Sequence, residues 1–252
     1  MAHRGFLHLA VVAGLTLPLL GSFAGAVGSE PSIEPRAAEI LKAALTHLAG
    51  TASFSVRAEV VDEATLATGE KIQYPGTLEL SLRRPDRLRY TISGEQRRMA
   101  AWYDGKGFTL LDSEKNVCAT TPAPQSLAAL FDQMEMTLGF RPPLSVLIRE
   151  DSVDVVLKRI TAGFYAGRGE VGGVTCDHLA FRQANIDWQV WIAAEGTPLI
   201  RRIVVTRKKA PGAPQLSFTS LTWDFNASLS DALFQFEPPQ GAVRCEFQVL
   251  TK

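Results

Sequence analysis

The stretch SFSVRAEVVDE (Ser53–Glu63) alternates from its second residue: Phe54, Val56, Ala58 and Val60 are apolar, and Ser55, Arg57 and Glu59 between them are polar. Side chains two apart on an extended strand share a face, so a period of two predicts a half-buried β-strand. The next two segments repeat the pattern. In IQYPGTLELSLRR (Ile72–Arg84), Ile72, Tyr74, Leu78, Leu80 and Leu82 oppose Gln73, Thr77, Glu79 and Arg83. In DRLRYTIS (Asp86–Ser93), Leu88, Tyr90 and Ile92 oppose Arg87, Arg89 and Thr91. Three consecutive strands with one apolar face each predict an antiparallel meander, solvated on its other side.

Before this meander the period is helical. In EPRAAEILKAALTHLAG (Glu34–Gly50), Ala37, Ile40, Leu41, Ala44, Leu45 and Leu48 form one apolar stripe, with Pro35 in the first turn and Gly50 at the stop. Earlier still, Arg4 precedes an apolar run from Phe6 to Leu20, and Ala24-Gly25-Ala26 offers a small-residue cleavage site. These features predict a secretory signal peptide over residues 1–26, because the run is shorter than the ~20 apolar residues of a membrane span. No cysteine stands near the cleavage point, so the expectation is a periplasmic, soluble chain without a lipid anchor, and a single domain over 27–252.

After the meander, RRMAAWYDGKGFTLLDSEKNVCAT continues as short strands around Asp104-Gly105 and Ser113–Asn116. SLAALFDQMEMTLGF then returns to helical spacing, with Leu127, Leu130, Phe131, Met134 and Leu138 on one stripe closed by Gly139. PPLSVLIRE and DSVDVVLKRI predict two short helices, the second with Ser152 as N-cap. Beyond Ile160 the chain reads as strands: GFYAGRG, VTCDHLAFR, IDWQVWIA, PLIRRIVVTRK and QLSFTSLTWDF. The fold class is therefore α+β.

Composition narrows the function. Hydrophobic residues make up 46% and charged residues 21% of 252, with 26 basic against 26 acidic side chains. Nucleic-acid binding wants a basic excess, which is missing here. Three cysteines (Cys118, Cys176 and Cys245) permit one disulfide of unspecified pairing. The stretch GRGEVGGVTCDHLAFR (Gly167–Arg182) fits the spacing G-x-G-x-x-G, but alternation after Gly173 predicts a strand. A phosphate-binding loop opens a helix whose N-terminus faces the pyrophosphate. A hairpin turning at Gly172-Gly173 is the better reading, and no cofactor is expected. Cys176 and His178 share a strand face, yet a stable metal site wants three or four ligands. With the leader removed only His47 and His178 remain, and neither a G-x-S-x-G elbow nor an H-E-x-x-H helix occurs. Trp188 and Trp191 fall on opposite strand faces, which indicates packing on both sides. No metal and no enzymatic activity are expected.

By RRPDRLRY, YDGKGFTLLDSEKNVCAT, CDHLAFR, DWQVWI and FQFEPPQGA, the chain resembles the family of predicted periplasmic proteins called domain of unknown function 2092. That family is similar in fold to the LolA/LolB outer-membrane lipoprotein carriers. The resemblance covers nearly all of the chain after the leader. It implies an unclosed antiparallel β-barrel, a half-pipe, with a few short helices as a lid over an apolar cavity. The strand pattern agrees, since a long meander with one apolar face needs a cover. Phe54, Val56, Leu78, Leu80, Leu88 and Tyr90 are then expected to line the concave side. Leu127, Leu130, Phe131 and Met134 face them from the lid. The carriers' ligand-gating residues match no position here. The implied function is a periplasmic binding or carrier protein for an acylated or otherwise apolar ligand. The alternative is a non-enzymatic envelope interaction module, with a self-filled cavity and a protein partner.

Overall fold

The computed structural model describes residues 32–247; the predicted leader, residues 1–26, lies outside the described residues. A helix α1 (Pro35–Gly50) leads into six strands, β1 (Ser53–Thr65), β2 (Lys71–Arg83), β3 (Arg87–Gly94), β4 (Arg98–Tyr103), β5 (Gly107–Asp112) and β6 (Val117–Pro122). Three helices follow, α2 (Leu127–Leu138), α3 (Ser145–Ile148) and α4 (Ser152–Arg159). The remaining strands are β7 (Ala162–Val171), β8 (Val174–Arg182), β9 (Ile186–Ala193), β10 (Ile200–Arg207), β11 (Gln215–Asp224) and β12 (Val243–Cys245).

All twelve strands join one sheet in the order β12-β6-β5-β4-β3-β2-β1-β11-β10-β9-β8-β7. Its outer strands, β12 and β7, are not paired with each other, so the sheet does not close into a barrel. The meander sits at its centre, with β1 and β2 paired from Ser53 opposite Arg83 to Thr65 opposite Lys71. The alternation explains the layering. Phe54, Val56, Ala58, Leu78, Leu80, Leu82, Leu88 and Tyr90 are buried in the core, whereas Arg57 and Glu79 are exposed and pair at 3.0 Å on the other face.

The helices cover the apolar face. Helix α1 buries Ala37, Leu41, Ala44, Leu45 and Leu48 and packs on α3, α4 and strands β7–β9. At its end the Thr51 hydroxyl donates to the His47 carbonyl at 2.7 Å. Helix α2 starts at Ser126, whose side chain accepts from the Ala129 N–H at 3.3 Å, and stops at Gly139 in the left-handed region. The N-cap expected at Ser152 is corrected: Asp151 holds the cap position and Ser152 is the first helical residue. Asp151 makes no cap bond because Arg149 engages its carboxylate.

Two features differ from a meander solvated on its outer face. After β11 the chain runs as a strap over the outside of β2–β5. Arg83 donates to the Leu229 carbonyl at 2.8 Å, Phe234 is fully buried, and Phe236 lies 5.0 Å from Trp102. Ala100, Leu111 and Cys118, on the same outer face, are also buried. The strap ends as β12, parallel to β6, with Val243 opposite Val117 and Cys245 opposite Ala119. All three cysteines are free. Cys245 shares a face with Ala119, and Cys118 points to the other face.

The segment Gly167–Arg182 is a hairpin. Gly172 and Gly173 have φ of 57° and 77° between Val171 and Val174, the backbone a two-residue turn demands. His178 lies within 3.0 Å of Gln189 Oε1 and stacks on Trp191 at 4.0 Å, while Trp188 is buried in the core. No helix among the described residues is long and apolar enough to cross a membrane.

Candidate functional site

Where β1 ends and β2 begins, the apolar face of the sheet is not filled. A cavity of about 180 Å3 opens there. Val60, Tyr90, Ile92, Leu216 and Phe218 come to it from the strands, and Phe140 and Pro143 come from the α2–α3 connection. Its rim carries Asp62, Glu95, Gln96, Arg97 and Arg141. A 150 Å3 apolar cavity holds benzene, whereas sites for drug-sized ligands span about 300–1,000 Å3. In the arrangement seen, the cavity therefore admits a ring or a short piece of chain. A second cavity of about 360 Å3, with charged side chains at its edge, adjoins it and shares Asp62, Tyr74, Gln96 and Arg97. Asp62 lies between two cations, 2.7 Å from Arg207 and 3.4 Å from Arg97. The pair of cavities thus meets at a charged cluster, Asp62 with Arg97 and Arg207.

A pair of glycines makes room at the neck. Gly76 and Gly94 face each other across β2 and β3. A Cβ at Gly76 would lie 2.8 Å from the Ser93 carbonyl oxygen. The atoms met are backbone, so the strands themselves must part. Gly76→Ala is expected to destabilise the protein by about 1–3 kcal/mol, the range for overpacking, measured as a fall in the urea midpoint.

The outer wall is a short connection with a left-handed residue at each end, Gly139 at φ 63° and Leu144 at φ 56°. A non-glycine residue there costs about 1–3 kcal/mol unless its surroundings enforce it. Ion pairs do so. Arg141 and Glu135 pair, and Arg159 reaches the same carboxylate at 3.7 Å. Arg149, only 4% exposed, donates to both carboxylate oxygens of Asp132, at 2.8 and 3.2 Å, and also pairs with Asp151. The hydrogen bond from Arg141 holds Glu135 below the usual carboxylate range, and that from Arg149 does the same for Asp151.

A depressed native pKa gives stability that is present above the unfolded value, about pH 4. That stability is lost as pH falls through the native value. The urea midpoint of the wild type should therefore fall more steeply below pH 4 than that of Arg149→Met. Parallel curves would show that the latch does not titrate.

The ten residues expected to line a cavity are all buried. Tyr90 reaches the cavity; the other nine pack together in the core with α1 and α2. Tyr90 is 1% exposed, and its hydroxyl finds no hydrogen-bond partner among the described residues. Burial pushes the phenol pKa well above its ordinary value, so the group stays protonated. Sequence reasoning missed Tyr74, Gly76, Gly94 and Phe140. The available signal was a glycine in each of two neighbouring strands.

Residues 37–248 match the family described as predicted periplasmic protein (DUF2092). No curated protein matches the chain. Among solved structures, it is similar to LprF from Mycobacterium bovis, at 11% identity and a TM-score of 0.48, over 80% of this chain and 98% of that one. The lipoprotein LppX of Mycobacterium tuberculosis gives 12% identity and a TM-score of 0.49, over 78% and 100%. A putative outer membrane lipoprotein-sorting protein domain from Vibrio parahaemolyticus gives 7% identity and a TM-score of 0.36, over 79% and 97%.

Proposed function

The chain belongs to the DUF2092 family of predicted periplasmic proteins, and on that premise we propose that it binds an acylated or otherwise apolar ligand in the envelope and shields it from water, as a carrier without catalysis. It acts as a soluble periplasmic protein, released from its leader and without a lipid anchor. The observation that carries this reading is the apolar cavity beneath the Phe140–Pro143 connection. Exposed apolar surface is unfavourable by ~25 cal/mol per Å2, so the connection stays shut while the cavity is unloaded. An acyl chain restores about 0.8 kcal/mol per buried CH2, which offsets the cost of lifting the wall. If α2 lifts with the wall, the chain reaches the face formed by Phe54, Val56, Leu78, Leu80 and Leu88, under Leu127, Leu130, Phe131 and Met134. The headgroup meets the Asp62–Arg97–Arg207 cluster at the edge of the neighbouring cavity.

The filled interior favours a second reading, an interaction module that recognises an envelope protein. Two measurements separate them. Native mass spectrometry of protein purified from the periplasm should show co-purified lipid, and a fluorescent fatty-acid probe should bind. Ile92→Trp, which fills the cavity, should weaken the probe at least about tenfold, the loss of roughly two buried methylenes. A wild-type protein that carries no lipid and ignores the probe refutes the carrier, and the interaction module takes its place.

A further inference from the structure

We infer that Tyr90 sets the chemistry of the ligand: its hydroxyl donates a hydrogen bond to an oxygen acceptor on the part of the ligand that enters the apolar cavity. The inference rests on the reading that this cavity is a ligand site.

Three observations converge on it. Tyr90 is the one residue of the buried strand face at this cavity that carries a hydroxyl and is almost wholly withdrawn from water. That hydroxyl has no partner among the described residues and is closed off from water, between Leu80 and Ala101 in register on either side, so a ligand oxygen reaches it only as the Phe140–Pro143 connection lifts. Buried donors are nearly always satisfied, and an orphan costs the full desolvation of the group. Phenylalanine would serve the packing equally well without that cost. The hydroxyl is thus an expense in the unloaded protein that a ligand can recover.

Position decides which part of the ligand is read. Tyr90 lies four residues along β3 from Gly94 at the rim, about 13 Å at the rise of a strand. Headgroup polarity is met at the rim by Gln96 and Arg97. The acceptor for Tyr90 is therefore a separate one, set within the apolar part: a carbonyl, ester or ether oxygen. The raised phenol pKa agrees, since burial keeps the group protonated and so a donor. A plain hydrocarbon leaves the donor as orphaned as before. Discrimination by a hydrogen bond that only one ligand can complete follows directly.

Tyr90→Phe keeps the ring and removes only the oxygen, and two readouts test the inference. The first needs no ligand. The urea midpoint of Tyr90→Phe should equal or exceed that of the wild type; a clear fall would show that the hydroxyl is already bonded within the protein, and the inference is overturned. The second uses cyclohexanone and methylcyclohexane, matched in size to the cavity, titrated by NMR. Wild type should prefer the ketone over the hydrocarbon by about five- to tenfold more than Tyr90→Phe does, the worth of one neutral hydrogen bond. If both probes bind and the preference is the same in the two proteins, the role of Tyr90 falls while the cavity stands as a ligand site. If neither probe binds the wild type, the ligand site fails and the role of Tyr90 fails with it.

Discussion

Leu80→Ala is expected to destabilise the protein by about 3–4 kcal/mol, while Glu79→Ala next to it changes stability by less than about 0.5 kcal/mol. Leu80 is 1% exposed and stands at the centre of the sheet, opposite Val56 on β1 and Tyr90 on β3. Removing its branched end loses burial and leaves a cavity that strands paired on both sides cannot close, so the cost falls within the ~2–5 kcal/mol of such truncations. Glu79 pairs with Arg57 on the exposed face, where ion pairs contribute about 0–1 kcal/mol. Urea denaturation of the two variants beside wild type measures both. Equal effects would mean that the two faces of β2 are not as different as the burial pattern makes them.

Arg84→Met is the second large effect, about 3 kcal/mol, and it comes from a polar residue. The Arg84 guanidinium donates to the carbonyls of Leu48 and Thr51, each at 3.0 Å, and of Ile148 at 2.7 Å. It also pairs with Glu150 at 3.1 Å, and Glu150 accepts from the Ala128 N–H at 3.1 Å. One side chain thus ties together the end of α1, the end of α3 and the first turn of α2. Methionine preserves the length but leaves the Thr51 and Ile148 carbonyls without a donor, and Leu48 with only the Thr51 N–H at 3.4 Å; each orphaned carbonyl costs about 1–3 kcal/mol where water cannot reach it. Partial access of solvent keeps the sum near the lower bound. Arg84→Lys should recover less than half of the loss, because an ammonium cannot fork across carbonyls in three directions. Full recovery by lysine would reduce the clamp to a simple charge.

The contrast between these residues shows what a sequence carries and what it withholds. Leu80 was legible because its neighbours alternate, and alternation encodes a face directly. The hairpin at Gly172-Gly173 and the stop at Gly139 were legible for a similar reason: each is a local backbone requirement met by a local residue. Arg84 stood within RRPD as one of several arginines, and nothing local distinguishes a clamp from a solvated charge. The cavity was illegible because it lies where the apolar face ends. Its lining combines residues of β1, β2, β3, β4 and β11 with the Phe140–Pro143 connection, which adjoins none of these strands in the chain. The ten residues expected on the concave side are buried in the core, and the cavity lies where that face ends. Tyr90 belongs to both. Strand β12 escaped notice because three residues among prolines carry no period, and their pairing with β6 is fixed only in the folded chain.

The strap also sets an order of events during synthesis. A chain emerges from its N-terminus, and domains fold as units during that process. β6 is complete by Pro122, yet its outer edge is covered only when Val243 arrives beside Val117. Until then β6 presents the unpaired N–H and C=O groups that invite pairing with another chain. The interval spans nearly half of the polypeptide. A ribosome that stalls in the glycine- and proline-rich stretch before β12 would release a product with all its helices and eleven of its strands, and with one edge still open to its neighbours.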